Sequence, residues 1–461
     1  MHSGAFSIII MAETKRATFG SKLGIILASV GSAVGLGNIW RFPYEAGSGG
    51  GGAFLIVYLL CVLGLGLPLM MTEFMIGRRS GSNAVQAFEK LSGKKAWGVI
   101  GAMGVVTSMI IIGFYSVVAG WTLEYIYQAA AGGLADKTSE MFTAEFAQFI
   151  SDPVRPIMWT VLLMVITHII IVSGIKKGIE RSSKILMPAL FLILLALCIR
   201  SLLLPGAEEG LRFLLWPDFS KINSSVSLSA MGQAFFSLSL GCACMITYAS
   251  YFSGKDNLRT SALSVTMLDT LVAILSGVMI FPAVFSFGIE PTLGPTLVFV
   301  TLPNIFAQLP LGGLWAFVFF ILLALAALTS IISLHEVITA FVCEKFKTSR
   351  RIGALAVTAT GCLFAAVCSL SLGRWSGYTV CGMNIFDASD FLTAKILMPL
   401  GAFMVCIFAG WVMGRKAVED ELGNHGSLRF KAIGLYMFFL KFIAPIAIVL
   451  IFLNELGLFQ S

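Results

Sequence analysis

Apolar residues in this chain run unbroken for about twenty positions at a time, and short polar stretches separate the runs. An α-helix needs roughly 20 apolar residues to cross a bilayer. Runs of that kind lie near residues 23–44, 53–77, 97–131, 156–174, 183–204, 229–252, 261–288, 313–343, 353–371, 391–413 and 432–458, so the pattern predicts eleven spans. Two of them are poor helices. Residues 31–44 read GSAVGLGNIWRFPY, with three glycines, an asparagine and an arginine near what should be the bilayer midplane. Each glycine costs a helix about 1 kcal/mol against alanine, and an arginine at that depth costs at least ~2.5 kcal/mol. Such a span is tolerated only where unwound backbone faces a cavity instead of lipid. A second interruption falls in FFSLSLGCA, residues 235–243. One interrupted run thus opens each of two five-span units, 1–5 and 6–10. That arrangement points to an inverted-repeat secondary transporter with its site between the halves.

Composition agrees with the pattern. The 461 residues are 57% hydrophobic and only 12% charged, with a mean hydropathy of +0.91, whereas soluble domains carry about 25% charged residues. The chain reads as an all-α integral membrane protein in three parts. These are a cytoplasmic N-terminal segment 1–22, a transport core 23–413 holding spans one to ten, and a cytoplasmic loop with span eleven at 414–461. Longer polar stretches at 132–155 and 205–228 read as external connections.

Lysine and arginine crowd alternate loops, in the clusters Lys15–Lys22, Arg78–Lys95, Lys176–Lys184, Lys255–Arg259, Lys345–Arg351 and Arg415–Lys431. This bias puts the N-terminus in the cytoplasm and, with an odd span count, the C-terminus outside a cell (inner) membrane. It also accounts for the net charge of +7 without a nucleic-acid partner. The nine cysteines lie mostly inside spans and read as small apolar packing residues. Residues 1–11 are apolar but lack a basic flank, so Met11 reads as a plausible start. No P-loop, nucleophile elbow or HExxH constellation is present, so an enzyme is not expected.

Several motifs together resemble the neurotransmitter:sodium symporters, and the bacterial amino-acid branch most closely. They are GSAVGLGNIWRFPY at 31–44, GGGAF at 50–54, QAFFSLSLG at 233–241, ITYASY at 246–251 and AALTS at 326–330. The resemblance runs in order from about Lys15 to Phe452. It implies the leucine-transporter-type five-plus-five repeat with spans 1 and 6 unwound at the midplane. The family usually has twelve spans, and this chain ends after eleven, as some bacterial members do.

The resemblance also implies the sites. A first sodium ion maps onto Ala33, Asn38, Ser237 and Asp269, and the substrate carboxylate completes its shell. A second maps onto Gly31, Val34, Ala326, Thr329 and Ser330. Hard cations take oxygen ligands of these kinds; back-bonding of Thr329 and Ser330 to their own helix is the plainer alternative. The substrate would contact Ser32, Ala33, Gly35, Leu36, Gly37, Ile111, Tyr115, Phe236, Ser237, Ser239, Cys242, Ser330 and Leu334. Monoamine carriers have an aspartate where this chain has Gly35, so glycine favours an α-amino acid with its own carboxylate. The apolar pocket suggests tryptophan, tyrosine, phenylalanine or leucine.

Arg41 with Asp390 is expected as the outer gate. Arg16, Glu344, Ser250 and Tyr251 are expected as the inner one. Gly178 and Pro188 match the family's helix-five hinge, where unwinding would admit water; a loop-to-helix boundary is the duller reading. Asp269 replaces the asparagine of many relatives, and Ala273 replaces a serine that serves chloride. Transport of an amino acid with sodium (two ions), without chloride, is therefore expected, with a proton as candidate counter-ion on the return step. A channel and a non-transporting sensor are the alternative classes. Glu73, Glu124, His168, His335 and Glu336 receive no assigned role from the sequence, nor does the oligomeric state.

Overall fold

A computed structural model describes residues 16–134, 137–289 and 297–455. The proposed start at Met11, Lys15, and the extreme C-terminus lie outside these. Long apolar segments become helices because the backbone has no other way to satisfy its polar groups in lipid. In chain order, the first run splits into α1 (Lys22–Ala33) and α2 (Gly37–Ser48), bent by 55°. α3 (Gly52–Ser80) follows, then the short α4 (Ala84–Ser92) and α5 (Lys95–Ala130). α6 (Ser139–Ser151) leads into α7 (Arg155–Val172) and α8 (Ile175–Leu202). After α9 (Ala207–Leu215) come α10 (Ser224–Ser237) and α11 (Cys244–Ala249). α12 (Leu258–Ser286), α13 (Leu297–Ala307), α14 (Gly312–Phe346) and α15 (Arg350–Leu370) follow. A hairpin of β1 (Thr379–Val380) and β2 (Met383–Asn384) precedes α16 (Ile385–Met413), α17 (Arg415–Leu422) and α18 (Ile433–Leu453).

Among the described residues nine helices are long and apolar enough to cross a membrane, and the bent α1–α2 pair makes a tenth. The run expected at 229–252 is present as α10 and α11, of 14 and 6 residues, each too short to span alone.

One sequence expectation needs correction. The fifth run was expected at 183–204, but α8 begins at Ile175. Lys176, Lys177 and Glu180 break the apolar pattern without breaking the helix, since they sit in its first turns. The polar connections 132–155 and 205–228 carry α6 and α9. In α6, Phe142, Phe146 and Phe149 share one face and are buried, so this segment packs onto the bundle.

Loops assigned to one side of the membrane meet one another. Arg78 at the end of α3 donates to the carbonyl of Asp256 and, at 3.0 Å, to Asn424 Oδ1. Asn83 donates to Glu344 at 3.0 and 2.7 Å, and Arg350 Nε donates to the Ile171 carbonyl at 2.7 Å. At the opposite end Arg155 pairs with Glu124, and Gly373 packs on the Ser151 backbone.

Candidate functional site

α1 stops at Ala33, and Val34 is extended with φ −66° and ψ 116°. The next helical turn begins at Gly37. Several of the freed backbone groups find side-chain partners. The Gly35 N–H donates to Asn38 Oδ1 at 3.0 Å and the Leu36 N–H to Tyr115 Oη at 2.9 Å. Ser239 Oγ donates to the Ser32 carbonyl (3.0 Å), Ser330 Oγ to that of Val34 (3.2 Å) and Gln233 Nε2 to that of Gly37 (2.9 Å). Buried backbone groups freed by a break need such partners, because lipid supplies none. Gly35 is required sterically: a Cβ there would lie 2.5 Å from Ser330 Oγ and 2.8 Å from Tyr115 Oη.

The second interruption lies between α10 and α11. Ser239 (φ 52°), Gly241 (φ 83°) and Ala243 (φ 65°) are all left-handed, a conformation that costs non-glycine residues about 1–3 kcal/mol each. Glu73 Oε1 accepts the Gly241 N–H at 2.8 Å, and Ser108 Oγ donates to the Cys242 carbonyl at 2.8 Å. Gly241 also packs directly on the Met398 backbone of α16, where no side chain fits.

Between the two breaks lies a cavity with a free volume of about 50 Å³. Ser32, Ala33, Gly35, Gly37, Ile111, Tyr115, Phe236, Ser237, Ser239, Cys242, Ser330 and Leu334 line it, as do Cys244, Ser333 and Met398. Twelve of the thirteen residues expected to meet substrate therefore share one wall. Leu36 takes part through its N–H, bound to Tyr115. Cys244, Ser333 and Met398 were missed. Cys244 sits one position beyond the quoted stretch 235–243 and Ser333 three beyond Ser330, and Met398 comes from a span with no motif. Ser32 Oγ is buried without a partner among the described residues.

The residues mapped to the first sodium site converge. Asn38 Nδ2 donates to Ser237 Oγ (2.8 Å) and Asp269 Oδ1 (2.8 Å), and Ser237 Oγ donates to Asp269 Oδ2 at 2.6 Å. All three are essentially fully buried. A carboxylate, an amide and a hydroxyl in one dry pocket form a hard-oxygen donor set suited to a small cation. At the second site Gly31 and Thr329 touch, with a Cβ on Gly31 lying 3.3 Å from Thr329 Cβ. Ser330 Oγ reaches Val34, while Thr329 Oγ1 back-bonds to the Ala326 and Leu325 carbonyls at 3.0 and 3.1 Å.

The two expected gate clusters differ. Among the residues expected at the inner one, Arg16 pairs with Glu344 and lies over the Tyr251 ring at 4.6 Å. Tyr251 Oη donates to Glu336 (2.6 Å), and Arg350 binds the same carboxylate at 3.0 Å. Ser250 instead bonds its own helix at Thr247. On the outer side the expected Arg41–Asp390 ion pair is not formed. Arg41 stacks over Phe236 at 4.4 Å and reaches Glu45, one turn along, at 3.5 Å. Glu45 in turn accepts from Ser229 Oγ at 2.6 Å. The nearby ring and carboxylate capture the guanidinium.

At the hinge, Gly178 lies in a π-helical stretch, Ile175–Glu180, and packs directly on the Ile170 carbonyl. α8 then continues through Pro188 without a break, so the expected unwinding is absent from this conformation. Glu180 accepts from the Gly20 N–H (2.6 Å), Ser21 Oγ (2.8 Å) and Lys184 Nζ (2.7 Å), which ties the start of α8 to the start of α1.

The remaining polar residues also find places. Glu124 binds Arg155, Trp159 and Gln128. His168, Thr358, His335 and Thr339 form a chain of 2.9 Å contacts.

Comparison with known proteins agrees with this geometry. The family profile described as "Sodium:neurotransmitter symporter family" matches residues 16–147 and 137–461. An uncharacterized sodium-dependent transporter of Bacillus subtilis, YhdH, is 40% identical over 97% of this chain and 99% of its own length. A sodium-dependent transporter of Haemophilus influenzae is 38% identical over 96% and 98%. The crystal structure of MhsT in complex with L-phenylalanine superposes with a TM-score of 0.88 at 46% identity, covering 95% of this chain and all of that one. Breaks, cavity, buried oxygens and comparisons converge: the chain is a multi-pass, sodium-dependent transporter, not an enzyme, and belongs to the sodium:neurotransmitter symporter family.

Proposed function

We propose that the protein carries a hydrophobic or aromatic L-amino acid into the cell together with two sodium ions, by alternating access and without chloride. The observation that carries this reading is the junction of the Asn38–Ser237–Asp269 cluster with the cavity beneath Tyr115. Ser237 belongs to both, so a carboxylate placed at the half-helix start near Leu36 sits beside the first cation site. The positive end of the half-helix dipole favours an anion there. Ser32 Oγ offers the zwitterion one further polar contact. Ile111, Phe236, Leu334 and Met398 then receive an apolar side chain. MhsT, similar over its whole length, binds L-phenylalanine.

Gly31, Val34, Ala326, Thr329 and Ser330 hold the second ion, with Thr329 turning its hydroxyl from its own helix toward the metal. Asp269 supplies a fixed negative charge, and Ala273 offers chloride no hydroxyl. In this reading the inner network around Arg16 and Glu344 is shut, and Arg41 caps the cavity by way of Phe236. Asp390 receives Arg41 once the outer side closes fully. Release inward requires Glu180 to let go of Gly20 and Ser21 so that α8 can unwind between Gly178 and Pro188. The core is 23–413, flanked by 1–22 and 414–461. The basic loops face the cytoplasm and the C-terminus lies outside.

Proteoliposomes with an imposed inward sodium gradient test the proposal. Accumulation of labelled phenylalanine, tryptophan, tyrosine or leucine, equal in chloride and gluconate, is expected. Sodium-dependent binding without accumulation would replace symport with a sensor.

A further inference from the structure

The turn between α10 and α11 carries two thiols, Cys242 and Cys244, and both line the cavity. On a regular helix, residues two apart point about 200° away from each other. Here Ala243 between them is left-handed, at φ 65°, and Gly241 before them at φ 83°. The reversal leaves both residues lining the same cavity, two positions apart in the chain. Cys242 Sγ also donates to the Ser239 carbonyl at 3.1 Å, which fixes it on the cavity side. All nine cysteines are free. None of the other seven has a second cysteine within three positions.

We propose that Cys242 and Cys244 form a dithiol site in the cavity wall that binds trivalent arsenicals, in competition with the transported solute. Sulfur ligands select soft, thiophilic species. With phenylarsine oxide, two As–S bonds form and the arsenic–oxygen bond breaks. The two thiol protons leave with that oxygen as water, and arsenic stays trivalent, so no oxidant is required. A lone thiol holds such a group weakly, because a competing monothiol displaces it. Two thiols on one three-residue turn make the second bond intramolecular, at a high effective concentration. The adduct therefore resists a monothiol and yields to a dithiol. The competition rests on the proposed substrate cavity; the dithiol chemistry does not.

The test treats the purified full-length transporter with phenylarsine oxide in excess 2-mercaptoethanol and locates the adduct by intact and peptide mass spectrometry. One arsenical per chain on the peptide holding Cys242 and Cys244, released by 2,3-dimercaptopropanol, is expected. Retention should fall at least tenfold in Cys244→Ser and stay unchanged in Cys381→Ser, which alters an exposed thiol. If Cys244→Ser does not fold, the wild-type peptide map decides alone. No retained adduct, or one mapped to Cys406 or elsewhere, overturns the proposal. Saturating sodium with phenylalanine should slow labelling at least tenfold. An adduct at the pair that forms equally fast with and without them upholds the dithiol and overturns the substrate reading of the cavity.

Discussion

Removal of one oxygen atom, in Tyr115→Phe, probes the first break directly. Tyr115 Oη accepts the Leu36 N–H at 2.9 Å, and Leu36 is 3% exposed. The phenylalanine ring keeps the apolar contacts of α5 and withdraws only the acceptor. The N–H at the start of a half-helix is then left beside a small cavity with no replacement from the protein. In the free variant a water drawn into the gap takes that N–H. In the proposed bound state the wild-type hydroxyl donates to the substrate carboxylate, and a hydrogen bond to a charged group is worth about 1.5–3 kcal/mol, roughly 10- to 150-fold in an equilibrium constant at 1.4 kcal/mol per decade. The loss therefore falls on amino-acid affinity. Scintillation-proximity binding of labelled phenylalanine at saturating sodium gives the dissociation constant. A rise of at least fivefold is expected, with the sodium midpoint moving less than twofold, because no oxygen of the Asn38–Ser237–Asp269 cluster is touched. A folded, monodisperse variant whose affinity changes less than twofold would refute the role assigned to this contact.

Other outcomes test the remaining parts. Asp269→Asn removes the buried charge bonded to Ser237 and Asn38; sodium-driven uptake should fall at least tenfold in gluconate and recover partly in chloride, and equal loss in both would count against charge substitution. Glu180→Gln keeps the shape but weakens the acceptor for Gly20, Ser21 and Lys184. Bonds to a charged group are worth about 1.5–3 kcal/mol, so a thiol probe placed at the start of α1 should react several-fold faster from the cytoplasmic side, and an unchanged rate would dissociate hinge from gate. In the connection before α7, Asp152 Oδ1 accepts the N–H groups of Val154 (2.8 Å) and Arg155 (2.7 Å). These backbone bonds hold its carboxyl below the ordinary carboxylate range. Such a group stabilises above its unfolded value, near 3.9, and loses that effect as pH falls through the lower folded value. Asp152→Ala should cost about 1 kcal/mol, read as roughly fivefold faster amide exchange at the start of α7 at pH 7. The difference should close as pH falls below about 4, and equal exchange at pH 7 would contradict the capping role.

Much of the architecture was legible along the chain because lipid leaves a polypeptide few choices. Apolar runs of spanning length had to be helices, and glycines with Asn38 inside one of them had to mark a break lined by protein. The interruption at 235–243 was readable for the same reason, as were most of the cavity residues, since the motifs flank both breaks. Partners distant in sequence were not readable. Glu336 stood out as a charge at membrane depth, yet only packing brings Arg350 and Tyr251 to it. Glu180 looked like the polar edge of a span until Gly20 and Ser21 folded onto it. Arg41 needed an anionic partner, and only packing decided for Glu45 with the Phe236 face over Asp390. The sequence by itself determined that the chain spans a membrane, that two apolar runs are interrupted and which groups surround the interruptions, because desolvation costs act residue by residue. Only the tertiary structure decided which donor meets which acceptor, because a hydrogen bond or ion pair depends on ångström-scale distances between residues far apart in the chain.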